Sequence, residues 1–366
     1  MTRPTRAIID CEALHHNLAQ VRAAAPGRQI MAIVKANGYG HGIVRVARLL
    51  GNTADAFGVA CLEEAQMLRA AGINQPITLL EGVFDGVEYS EAARLGLTVT
   101  LHHPWQLETL LTTPLVTPLS VWLKVDTGMH RLGLDPEQIP HAWEQLRTCP
   151  WVSTVGLMSH FAQADEPELP ATPLQLDRFQ RSVAMLPGDH CLANSAAILA
   201  WPASHGTWVR PGLMLYGASP FLHQTGEQLG LRPVMTFTSA LIAVKTIRRG
   251  EAVGYGAAWR CTRDTTVGVV AAGYADGYPR HAPSGTPVLV NGQPVPLVGR
   301  VSMDMLCVDL ATQPQAQPGD PAILWGPGLP VERIASAAGT ISYEILCHIA
   351  PRVRVEERGE TQHHGK

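Results

Sequence analysis

The stretch Ala32–Gly42, AIVKANGYGHG, decides how the rest of the chain is read. Its apolar run, Ala32 to Val34, has the composition of a buried strand, yet it ends on Lys35. A lysine at the end of a buried strand costs free energy unless it is paired, neutral or covalently used. Desolvation lowers the pKa of such an amine, and the free base is a nucleophile toward carbonyls. The plainer alternative is a lysine that reaches solvent from the wet end of the strand. Gly38, Gly40 and Gly42 permit close backbone approach, while Tyr39 and His41 bring a hydroxyl and an imidazole to the same turn. That company favours a site.

The stretch leads into IVRVARLLG, which reads as a helix, and the alternation then recurs. AFGVA precedes CLEEAQMLRAAGI, whose apolar residues fall at helical spacing. PITLLEG, LTVTLHH, LSVWLKVDTG and VSTVGLMSHF read as strands, with SEAARLG, PWQLETLL, QIPHAWEQLR and TPLQLDRFQRSVAML as helices among them. HCLANSAA and TWVRPGLMLYG close the series. Continuous apolar strands alternating with helices indicate a parallel sheet, and about eight such steps predict an α/β fold with an N-terminal (β/α)8 TIM-like barrel over residues 1–230.

From residue 231 to 366 the runs become strand-like and are punctuated by Gly and Pro, which predicts a C-terminal mainly-β domain. Asn291-Gly292 signals a hairpin inside it, VERIASAAG a short helix, and the polar tail 357–366 is expected to fray.

Composition removes several classes. The 366 residues carry a net charge of -3, with no basic excess to attract nucleic acid. No apolar run reaches the ~18 residues of a membrane span, and the N-terminus lacks an apolar secretory core, so a cytoplasmic protein is expected. The cysteines at 11, 61, 149, 191, 261, 307 and 347 are scattered without a C-x-x-C, which reads as free thiols, with neither a disulfide frame nor a metal.

In a barrel the chemistry gathers where strands end. The polar residues that close the apolar runs here are Lys35, Glu81, His102, Lys124 with Asp126, His160, Asn194-Ser195 and Arg210. Lys124 and Arg131, in LKVDTGMHRLG, reach toward one face. In RPGLMLYG the backbone N–H groups of Gly212 and Leu213, after the Pro-Gly bend, suit an anion, and barrels often hold phosphate after strands seven and eight.

Taken together, AIVKANGYGHG, KVDTGMHRLG, GLMSHFAQAD, ANSAA, VRPGLMLYG, VGYG, GYADGYPR and GRVSMDM, in this order, resemble the bacterial alanine racemases, enzymes of fold-type III that depend on pyridoxal 5′-phosphate (PLP). The resemblance implies an isomerase that interconverts L- and D-alanine for peptidoglycan. It also implies a homodimer with shared active sites. By that resemblance Lys35 is the Schiff-base lysine. Tyr39, Asn194, Ser195, Gly212, Leu213 and Tyr343 lie at cofactor positions. Arg131 serves the phenolic oxygen and the substrate carboxylate. Lys124 is a candidate for carbamylation, Arg210 faces the pyridine nitrogen, and His160 packs beside the ring. Tyr255 is the second catalytic acid/base, from the other subunit, and the Met303 N–H meets the substrate carboxylate. Tyr274, Asp165 and Arg300 line the entry path. Ser302 and Gly254 stand where many members have Cys and Ser, which touches substrate preference more than the reaction. Other PLP racemases, a barrel decarboxylase and a PLP carrier are the rival readings. The last is a barrel alone, which the long second domain disfavours.

Overall fold

The computed structural model describes residues 3–359; residues 360–366 of the polar tail lie outside them. The chain divides into two compact units. The first comprises Leu18–Leu215 with Pro220–Leu222, and the second comprises Met1–Asn17, Tyr216–Ser219 and His223–Lys366.

After an initial strand β1 (Arg6–Asp10), eight strands form the first unit's closed parallel barrel. They are β2 (Gln29–Ile33), β3 (Ala56–Val59), β4 (Ile77–Leu79), β5 (Leu97–Leu101), β6 (Leu119–Lys124), β7 (Val152–Met158), β8 (His190–Cys191) and β9 (Trp208–Val209). All eight fall in the runs read as strands from the sequence. They are short because barrel strands need span only the inner layer of side chains. Pairing of Ile30 with Val209 joins the last strand to the first. Helices Ile43–Leu50, Leu62–Ala70, Glu88–Arg94, Pro104–Thr112, Ile139–Thr148 and Ala171–Val183 return the chain between strands. Their apolar faces are buried, as at Val46, Leu68, Leu110 and Phe179.

The second unit is built on β10 (Met235–Ile247), a strand of 13 residues that serves two sets of partners. Next comes a ribbon of β11 (Ala252–Val253) and β12 (Trp259–Arg260). Then come β13 (Thr265–Val270), β14 (Pro287–Val290), β15 (Gln293–Val298), β16 (Leu306–Asp309), β17 (Pro321–Trp325) and β18 (Arg354–Arg358). The first half of β10 pairs with β1 and β17, and its second half with β13. The expected hairpin joins β14 to β15 through Asn291 and Gly292, at φ of 51° and 76°. Both turn residues being left-handed matches the twist of the strands they connect. The expected short helix is Val331–Ala338, ended by Gly339. Glu357 and Arg358, expected to fray with the tail, are instead paired within β18.

The division is not the linear one expected at residue 230, since the chain through Asn17, Tyr216–Ser219 and the chain from His223 belong to the second unit. β1 does not belong to the barrel; it lies in the second unit's sheet, antiparallel to β10 and parallel to β18. Its partners are more than two hundred residues away, so no local pattern announces them.

Inside the barrel wall, Gly156 of β7 is in register with Trp122 of β6, and a Cβ at Gly156 would lie 2.4 Å from the indole. A methyl group there must displace a packed ring. Gly156→Ala is expected to lower stability by ~1–3 kcal/mol, the usual cost of overpacking. Urea unfolding measures it, and an unchanged midpoint would mean that the indole has room to move.

Candidate active site in the barrel mouth

The turn after β2 runs in the left-handed sense. Ala36, Asn37, Gly38 and Tyr39 have φ of 53°, 55°, 61° and 52°. For residues with a Cβ this conformation costs ~1–2 kcal/mol each, and such conformations persist where the surroundings over-determine them. Here the bonds are specific. The Gly38 N–H donates to Val34 O at 2.8 Å and the Gly42 N–H to Asn37 O at 2.8 Å. The Ala36 N–H donates to Glu64 Oε1 at 2.7 Å, while Glu64 Oε2 accepts the Ala60 N–H at 2.8 Å. One carboxylate thus ties the turn after β2 to the loop after β3. Asn37 Oδ1 accepts the Ile43 N–H at 3.0 Å and hands the chain to its helix.

Lys35 opens this turn. Its Nζ lies 3.8 Å from Glu81 Oε1, and the two side chains are 38% and 40% exposed. The desolvation expected at Lys35 belongs to a different lysine. Lys124, the last residue of β6, is 8% exposed. Burial, then the charges of Arg210, Arg131 and Lys35, push its amine down to about 7, with Glu81 opposing.

Arg210 is buried just after β9 and is held by main-chain oxygens. Its Nη2 donates to Ser159 O at 2.8 Å and Leu192 O at 3.1 Å, and Nη1 donates to Cys191 O at 2.5 Å and Cys191 Sγ at 3.2 Å. Nη2 also lies 3.1 Å from His160 Nδ1. A guanidinium can only donate, so Nδ1 accepts and the imidazole proton sits on Nε2. Burial, then the charges of Arg210, Lys124, Arg131 and Lys35, hold His160 well below its usual range, so it is neutral. Burial also lowers His102, whose Nε2 lies 2.9 Å from Glu81 O, with Lys124 adding to the effect.

Beside these cations lies a floor of small polar groups. Ser195 Oγ accepts the N–H of Gly212 at 2.9 Å and of Met214 at 3.3 Å, so its own proton points elsewhere. A Cβ on Gly212 would stand 2.6 Å from Tyr39 Oη; glycine is what lets that hydroxyl approach. Leu213 is buried next to it. Asn194 caps the following short helix through Oδ1, which accepts the Ala197 N–H at 3.0 Å. The barrel mouth therefore brings together Lys35, Tyr39, Lys124, Arg131, His160, Asn194, Ser195, Arg210, Gly212 and Leu213. Asp165 is exposed in the loop after β7, with no bond tying it to this group among those described. Asp126 is absorbed locally, accepting the N–H groups of Gly128 and His130, each at 3.0 Å.

The remaining residues lie in the second unit. Tyr255 is 69% exposed on the turn between β11 and β12, and a Cβ at Gly256 beside it would stand 3.1 Å from the Arg300 guanidinium. The Tyr274 N–H donates to Ser302 O at 3.0 Å, and the Ala275 N–H to Met303 O at 3.0 Å. Tyr255, Arg300, Tyr274 and Met303 are thus gathered around the loop 299–305. Asp276 anchors that loop through Arg3 and Arg352, which also donate to Asp304 O and Asp304 Oδ1. Fully buried, it accepts from Arg3, from Arg352 at 2.8 Å and from the Gly273 N–H at 2.8 Å. Burial opposes its ionisation, but those bonds hold the carboxyl below the usual range. Tyr343 is half-buried in the helix Ser342–Cys347.

Residues 9–220 match the family described as alanine racemase, N-terminal domain, and residues 234–356 match its C-terminal domain. The chain belongs to the alanine racemase family. These are isomerases that interconvert L- and D-alanine. An alanine racemase of Nitrosococcus oceani is 57% identical over 95% of this chain and 98% of its own length. A biosynthetic alanine racemase of Salmonella typhimurium is 51% identical over 95% and 98%. The solved biosynthetic alanine racemase of Pseudomonas aeruginosa superposes with a TM-score of 0.96 at 47% identity, covering 98% of this chain and 100% of that one.

Three parts of the racemase mouth escape the sequence. Glu64 and the carbonyls of Ser159, Cys191 and Leu192 carry no local signal, because their role exists only through folding. Glu81 does stand at a strand end, and its pairing with Lys35 is what the strand-end pattern alone leaves open.

The low amine of Lys124 has a signature in stability. Unfolded, a lysine titrates near 10.5; here it titrates at about 7. Between those values the unfolded chain binds more protons, so stability rises with pH across the window. In carbonate-free buffer, the urea-unfolding free energy of the wild type is expected to climb relative to Lys124→Met from pH 7 upward. Parallel curves would show that Lys124 keeps an ordinary amine.

Proposed function

We propose that the barrel mouth holds pyridoxal 5′-phosphate on Lys35 Nζ and that the chain interconverts L- and D-alanine by a two-base mechanism. The observation that carries this is the set Lys35, Lys124, Arg131 and Arg210, whose charges all act on His160, with one half-exposed carboxylate, Glu81, against Lys35, beside the floor at Gly212. Such a site favours a ligand with several negative charges. The donor set also fits the cofactor's parts. Tyr39, Ser195, Gly212 and Leu213, with Asn194 behind them and Tyr343 by resemblance, would hold its phosphate. Arg131 would take the phenolic oxygen, His160 the ring face and Arg210 the pyridine nitrogen.

When bound, PLP supplies an electron sink that makes the α-proton of an amino acid acidic. The chain's own residues decide where that proton goes. Lys35 would exchange it on the D face and Tyr255, from the partner subunit of a homodimer, on the L face. Met303 N–H and Arg131 would hold the substrate carboxylate, with Tyr274, Asp165 and Arg300 along the approach. Arg210 has no proton to give up at any ordinary pH, so it can donate a hydrogen bond without protonating its partner. That restrains charge build-up on the ring and favours return of the proton to the α-carbon over transamination. His160, neutral with its proton on Nε2, is suited to link Arg210 with Tyr255. Lys124, with free amine present near neutrality, can add to carbon dioxide and lose a proton, giving a carbamate able to hold Arg131.

The biosynthetic names of the relatives support a role in supplying D-alanine for peptidoglycan. The described cysteines form no disulfide, which suits the cytoplasm. No described helix is long and apolar enough to cross a membrane.

L-alanine in heavy water should lose optical rotation and gain α-deuterium with wild-type protein, and do neither with Lys35→Ala. Rotation lost equally in the mutant would remove Lys35 from the chemistry. Arg210→Glu should divert a measurable share of turnovers to pyruvate, and unchanged partitioning would sink the role given to Arg210. Tyr255→Phe should slow α-exchange from L-alanine by roughly 10²–10⁴-fold, the usual worth of a positioned acid/base. Full activity in a monomer verified by sedimentation would exclude a Tyr255 donated across subunits.

A further inference from the structure

We propose that His41 is a positioning residue: its Nδ1–H clasps the carbonyls of Gly38 and Tyr39 and so fixes the left-handed turn that sets Lys35 and Tyr39 at the cofactor site.

His41 is fully buried. Its Nδ1 lies 2.8 Å from Tyr39 O and 3.1 Å from Gly38 O. Both oxygens can only accept, so Nδ1 carries the proton. The two carbonyls converge on one donor because Gly38 and Tyr39 are both left-handed. An extended path would point them to opposite sides of the chain. The imidazole therefore rewards the conformation that the side chains of Ala36, Asn37 and Tyr39 resist. Its own backbone is anchored on both sides: the His41 N–H donates to Gly38 O at 3.0 Å, and His41 O accepts from Arg45 Nη1 at 2.8 Å. Burial holds the ring at about 4, so the donor stays a neutral imidazole throughout the range in which the protein would work.

The turn positions a functional group on either side of the clasp. Lys35 precedes the left-handed residues, and Tyr39, whose hydroxyl closes on Gly212, is one of them. If the turn relaxes, amine and hydroxyl lose their relative placement while the barrel behind them remains. The apparent rate of cofactor capture then falls with the fraction of chains whose turn is competent.

This inference rests on Lys35 being the cofactor lysine, and one experiment separates the two. Protein stripped of cofactor is mixed with PLP. Attachment is followed by visible absorption, then trapped with borohydride and mapped to a peptide. In the wild type the label should fall on Lys35; a label elsewhere overturns the Lys35 reading itself. With the label on Lys35, His41→Leu should slow attachment roughly ten- to a hundredfold, the worth of two lost hydrogen bonds. Adding Ala36→Gly should restore much of the rate, because glycine enters the left-handed region freely. An unchanged rate in His41→Leu overturns the positioning role. So does a slowed rate that Ala36→Gly leaves slow, since that is what loss of packing alone would give. If His41→Leu does not fold, His41→Gln, which displaces the donor while keeping a polar side chain, is read by the same two criteria.

Discussion

The barrel mouth depends on keeping like charges close together without cancelling them. Arg210 is stabilised by dipoles: its protons go to main-chain oxygens and a sulfur. A carboxylate in that place would have satisfied the guanidinium and removed its field. Because carbonyls do the solvating, the positive charge survives burial and acts on its neighbours. It adds to burial in keeping His160 neutral and in bringing Lys124 down to about 7. The same field is what an anionic group meets on entering. Repulsion among these groups is a standing cost to the folded chain, and a ligand with several negative charges turns it into binding energy.

A rigid frame is the other half of that arrangement. Charges can be aimed only if the chain that carries them cannot relax away. The closed barrel fixes the strand ends, and the left-handed turn after β2 converts one strand end into two functional groups facing a common floor. Glu64 braces the turn from the neighbouring helix, and Asp276, through Arg3 and Arg352, does the corresponding task in the second unit.

Much of the fold is legible in the sequence because barrel strands are buried on both faces and read as apolar runs. The eight barrel strands, the Asn291-Gly292 hairpin and the helix Val331–Ala338 all arise from local pattern. β1 does not, since five residues of RAIID are an ordinary apolar stretch until β10 and β18 arrive beside them. The site shows the same split. Lys35, Lys124, His160 and Arg210 stand out because charge at the end of an apolar run is costly. Which lysine is buried is a three-dimensional matter: Lys35 stands at the more conspicuous strand end, and the fold buries Lys124 instead. Groups acting through the main chain, such as the carbonyls around Arg210, are invisible in a string of side chains.

The place of β1 also shapes how the molecule is made. β1 is paired with one strand that begins at Met235 and another that ends at Arg358, both synthesised well after it. During translation the barrel's strands can emerge and close while RAIID still waits for both neighbours, exposing an unpaired edge. The second unit is accordingly not a contiguous piece that can be cut out of the gene: a fragment begun after the barrel would leave Met235–Thr238 and Arg354–Arg358 without the strand that lies between them. Strands far apart in the order of synthesis, β1 and β18, are sewn into one sheet, so the order of synthesis and the order of assembly run opposite ways at this seam.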